Sequence, residues 1–142
     1  MSGPSLKKQD SHSSIHEAAL NEAKELRDVV NICLRNGEKE KAVQVVEIVI
    51  EHWESRTLKH AEAEEEGLYK ELVEEKPELE PLLIQFTRDH DLMRRMVEEM
   101  NHLLMKNEVD ERLVAFQDSL LMIASIHNED EMSKLLHGNR KG

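Results

Sequence analysis

A chain of 142 residues is long enough for one domain with a modest core and too short for two comfortable ones. Its formal charge of −11, from 30 acidic against 19 basic residues, repels phosphate backbones, so nucleic-acid binding is not expected as its primary role. With 3% aromatic residues, five Gly and three Pro, the composition speaks for helix rather than sheet, because unbranched side chains lose little rotamer freedom in a helix.

Four helical stretches are expected, taken here in chain order. The first covers 14–36, opened by an S-x-x-E capping box at Ser14 and Glu17 and stopped by Gly37. Ala19, Leu20, Ala23, Leu26, Val30 and Cys33 form its apolar stripe. Residues 1–13 before it read as a flexible tail. The second stretch covers 38–74 and carries Val45, Val46, Val49, Trp53, Leu68 and Leu72. Pro77 and Pro81 break and restart the pattern, since proline fits only the first turn of a helix. The third covers 82–106, with Leu83, Phe86, Met93, Val97, Met100 and Leu104. The fourth covers 109–136, with Leu113, Phe116, Leu120, Ala124 and Leu135, and Gly138 as its stop. Short links make successive helices antiparallel neighbours, so residues 14–138 are expected to form an all-α, up-down-up-down four-helix bundle. No apolar run approaches the roughly 20 residues of a membrane span, and the start MSGPSLKKQDS lacks the apolar segment of a secretory signal. With a lone Cys33, a cytoplasmic location without membrane association is expected.

Histidine sets this chain apart from a plain bundle. Eight are present, and one in each helix interrupts the apolar stripe: His16, His60, His90 and His127. A residue four positions on is rotated by only about 40°, so a histidine four after Phe86 or Ile123 points inward with it. Two of the four bring a carboxylate at i+4, as His60-x-x-x-Glu64 and His127-x-x-x-Glu131. Burying a carboxylate without a counter-charge costs several kcal/mol by order of magnitude, so two inward glutamates require cations or protons. Four satisfied core histidines with two rim glutamates would be the plainer account. Four histidines in register with two paired glutamates favour a metal site. Helices one and three place I-H-E-A-A-L and D-H-D-L-M-R alike, and helices two and four place H-A-E-A-E and H-N-E-D-E alike. Within the acidic cluster, Glu64 is assigned inward, and Glu62, Glu65 and Glu66 to a solvated helix face. The seven methionines read as core filler.

The ordered set of His16, His60 with Glu64, the D-H-D at His90, and His127 with Glu131 resembles the hemerythrin family. More narrowly it resembles HHE cation-binding domains and the iron-sensing domain of an F-box ubiquitin-ligase subunit. The resemblance implies a cofactor of two non-haem iron ions with an oxo or hydroxo bridge. It makes His16, His60, His90 and His127 terminal ligands, and Glu64 and Glu131 bridging ones. It also implies binding of, or reaction with, dioxygen, peroxide or nitric oxide, for sensing or detoxification; were the chain an enzyme, it would be a di-iron oxidoreductase acting on these. The alternative is an iron-handling module acting through a partner protein. Oxygen carriers of the family have a fifth histidine one turn from the third-helix ligand, where this chain has Phe86 and Arg94. They also have an aspartate at i+5 where this chain has Glu131 at i+4. His12 is the best remaining candidate for a fifth, whereas His52 falls about 80° off the His60 line. The ferritin-type Glu-x-x-His spacing occurs once, at Glu99 and His102, and no H-E-x-x-H, C-x-x-C or phosphate-cradling glycine loop is present.

Overall fold

The computed structural model describes the backbone of residues 2–136 and the side chains of residues 14–135. Among these residues every regular element is helical: α1 (Ser2–Arg35), α2 (Lys39–His52), α3 (Lys59–Glu66), α4 (Leu68–Glu75), α5 (Glu80–Met105) and α6 (Glu111–Asp130). Two π-helical segments, Trp53–Leu58 and Glu131–Leu136, continue α2 and α6, and a 3-10 turn at Pro77–Leu79 leads into α5. α1 packs on α2 and α6, and α5 packs on α6 and α2, so four rods close a ring around one interior.

The links follow from local chemistry. α1 ends in a Schellman pair, Glu38 N–H to Cys33 C=O at 2.8 Å and Gly37 N–H to Leu34 C=O at 3.2 Å. The pair needs a left-handed residue, and Gly37 supplies it at φ 72°. α5 ends in the same way, with Asn107 at φ 58° and Glu108 N–H on Leu103 C=O at 2.8 Å. Asparagine is among the few other residues that adopt this conformation readily. Asp110 caps α6, its side chain accepting from Arg112 N–H at 3.0 Å.

Three expectations change. The first helix extends back to Ser2, so Ser14 and Glu17 lie within it and cap nothing. The flexibility expected of residues 1–13 concerns side chains outside the described residues, as does the stop at Gly138. The stretch 38–74 is broken: it passes through the π segment and then divides at Gly67, whose φ of −114° and ψ of −84° belong to neither helix. In α6, Gln117 takes the interior place expected for Phe116, which packs at the margin.

Buried side chains form two clusters. The larger runs from Ala23, Val30 and Val46 through Trp53, Met93, Met100, Leu113 and Leu120 to Ala124. The smaller gathers Tyr69, Leu83, Phe86 and Leu135. Between the two stand polar residues.

Candidate metal centre

Each helix delivers its polar residue at the junction of the two clusters. On α5, His90 follows Phe86 of the small cluster by four residues and precedes Met93 of the large one by three. On α6, His127 follows Ala124 by three, and Glu131 lies one turn further on, at the start of the π segment. On α3, His60 and Glu64 share a face after the turn begun at Trp53. His16 lies on α1, one turn before Ala19 and Leu20. Glu64, His90, His127 and Glu131 are buried, the two histidines and Glu131 almost completely.

The distances resolve into two imidazole pairs joined by two carboxylates. His90 Nε2 and His127 Nε2 lie 3.1 Å apart. The His16 and His60 rings meet edge to face, their centres 5.0 Å apart. Glu64 turns Oε1 towards His90 Nε2 at 3.4 Å and Oε2 towards His60 Nε2 at 3.9 Å. Glu131 turns Oε2 towards His127 Nε2 at 3.4 Å and Oε1 towards His16 Nε2 at 3.8 Å. Each carboxylate thus presents one oxygen to each pair.

A ring of polar groups orients the buried pair. His90 Nδ1 is 2.7 Å from Glu65, which also takes two hydrogen bonds from Arg94 at 3.0 and 3.1 Å. His127 Nδ1 is 2.9 Å from Asp89. A carboxylate at Nδ1 favours the proton there and leaves the Nε2 lone pair facing the centre. Burial works against a charged His127, yet its bond to Glu131 and the carboxylates of Asp89 and Glu64 outweigh burial and raise its pKa. Arg94 loses by burial and gains more from Glu65 and Asp91, so its cation is held firmly. Tyr69, 4% exposed, donates its hydroxyl to Glu131 Oε2 and lies parallel to the His90 ring. Burial pushes its phenol far above the ordinary range, and the charges of Glu131 and Glu64 push the same way.

All six residues singled out by sequence therefore converge: His16, His60 and Glu64 form one group of potential donors, and Glu64, His90, His127 and Glu131 another. Glu65 needs correction. Assigned by sequence to a solvated face with Glu62 and Glu66, it instead turns to α5 and holds His90. Asp89 lay in view in the D-H-D run without an assigned task, and Tyr69 went unread. His52 is occupied elsewhere, 3.3 Å from Glu22, and His102 is exposed. The side chain of His12 and all of His137 lie outside the described residues.

The residues fit metal ions. Bonds of about 2.0–2.2 Å place donors across one ion up to about 4.4 Å apart, and the donors of each group, within 4.8 Å of one another, need close in by only a few tenths of an ångström to share an ion. Imidazole and carboxylate without thiolate make a donor set that suits a first-row transition-metal ion, iron among them. A small pocket between Ile15, Leu20, Trp53 and Arg56 opens on His16 and His60. No helix among the described residues is long and apolar enough to cross a membrane. In comparison with known proteins, the family model described as Hemerythrin HHE cation binding domain matches residues 13–136. No curated protein and no solved structure matches the chain.

Proposed function

The chain belongs to the hemerythrin HHE cation-binding domain family, and we propose that it holds two non-haem iron ions and binds or reacts with dioxygen, peroxide or nitric oxide. His16 and His60 would hold one ion and His90 and His127 the other, with Glu64 and Glu131 spanning both. The observation that carries this reading is the aim of the two carboxylates, each with one oxygen towards each imidazole pair. That arrangement suits two ions spanned by both carboxylates. Two bound irons would supply the electrons and the open coordination positions that a small oxidising ligand needs. The protein's own part is to fix both glutamates, to keep the Nε2 lone pairs of His90 and His127 inward through Asp89 and Glu65, and to keep water from that side with Phe86 and Tyr69. The rods would run alternately up and down, as the tight reversals at Gly37 and Asn107 suggest, and the protein would work in the cytoplasm, where Cys33 stays reduced.

Elemental analysis after anaerobic loading with ferrous iron tests the stoichiometry. Two equivalents per chain are expected, with near-ultraviolet absorption of an oxo-bridged pair after oxidation. A single equivalent, unchanged by excess iron, would contradict the reading. A second reading, delivery or reporting of iron through a partner protein, draws on the partial exposure of His60 and His16, 23% and 11% of their side chains. Rapid loss of one iron from the reduced protein to a chelator would favour it.

A further inference from the structure

Tyr69 is the only tyrosine of the chain. It stands in the first turn of α4, where the break at Gly67 redirects the backbone after Glu64. Its hydroxyl reaches Glu131 Oε2, the oxygen that also lies 3.4 Å from His127 Nε2. Its ring is within 4° of parallel to His90, centre to centre 5.8 Å, and it leans on Phe86 at 6.4 Å. The phenol oxygen is therefore an unused oxygen donor at the rim of the buried group of Glu64, His90, His127 and Glu131. A ferric ion beside this oxygen would favour the phenolate, because an adjacent cation stabilises an anion strongly in a site of low dielectric.

We propose that Tyr69 is a ligand of the ion held by His90 and His127. On loading, the phenol O–H bond breaks, its proton leaves to solvent, and the oxygen that donated to Glu131 bonds to iron, with no change in oxidation state in this step. The inference rests on the di-iron reading. It makes the two ions unequal: His90, His127, Tyr69 and one oxygen from each glutamate give five protein donors on one side. The other side has four, from His16, His60 and the remaining two oxygens. A hard anionic oxygen prefers the ferric state, so the phenolate-bound iron resists reduction.

The test is the optical and resonance Raman spectrum of the full chain, loaded with ferrous iron and then oxidised in air. A phenolate-to-ferric charge-transfer band is expected in the visible, with phenolate ring modes enhanced on excitation into it. Tyr69→Phe should lose both while still taking up two irons and keeping the near-ultraviolet absorption. With a single tyrosine the wild-type spectrum is decisive even if Tyr69→Phe fails to fold. Two ferric ions per chain with no phenolate modes would overturn the inference and leave the di-iron reading standing, as would a visible band that survives Tyr69→Phe. A chain that takes up no iron would overturn both.

Discussion

Glu62 and Glu65 lie three positions apart on one helix, yet one meets water and the other closes a chain from Arg94 to His90. Partners at the outer nitrogen of a ligating histidine typically change metal affinity by roughly 10–100-fold. Glu65→Gln and Asp89→Asn should each weaken metal binding by about that much, measured by competition with a chromophoric chelator, while Glu62→Ala leaves affinity unchanged. Equal losses from Glu62→Ala and Glu65→Gln would mean that α3 is turned otherwise. The contrast also marks what periodicity can read. The inward direction of His90, His127 and Glu131 was legible, because it depends only on a residue's place relative to its own apolar stripe. The task of Glu65 depends on which helix lies beside α3, and a stripe carries no such knowledge. Tyr69 was hidden for a related reason: an unbroken helix through 38–74 gives it no route to Glu131, and the bend at Gly67 provides one.

At the level of the element, the two π segments lie against the two H-x-x-x-E pairs, one just before His60 and the other beginning at Glu131. A π turn closes i to i+5 and so holds one residue more than the surrounding ladder. Such a turn sets the angular phase between α2, which packs the large core, and α3, which carries two site residues. Removing the exposed Ser55 would let the ladder continue as α-helix and rotate His60 and Glu64 by about 100° relative to Val46 and Val49. The expected result is a chain with nearly full helical circular dichroism and little bound metal. Normal metal content in that deletion would show that the π segment has no part in placing the site. Sequence gave no warning of either segment, since apolar spacing differs from an α pattern by a single residue there.

For the molecule as a whole, the site lies between a large apolar cluster and a small one. Metal that binds only the folded chain stabilises it by mass action, by about 2.7 kcal/mol at a free concentration a hundred times Kd. In a domain of this size that corresponds to a rise in Tm of roughly 10 °C, so a calorimetric scan before and after chelation should show a fall of that order. An unchanged Tm on complete metal removal would mean that the folded chain does not depend on bound metal.

The lopsided core has a consequence for how an ion gets in. The small cluster has four buried residues backed by five partly buried ones, against seventeen buried in the large cluster, and the histidines and glutamates lie between the two. Emptied of metal, that end should breathe while the far end stays shut, because regions with few apolar contacts open at lower free energy than the global transition. Amide hydrogen exchange should then quicken in α4, in the first turns of α5 and across 131–136 in the metal-free protein, and slow again on loading. Uniform quickening along all helices would mean that the bundle opens as one piece. The end of the bundle that a bound metal would fasten is then also the end that opens first when the metal is gone.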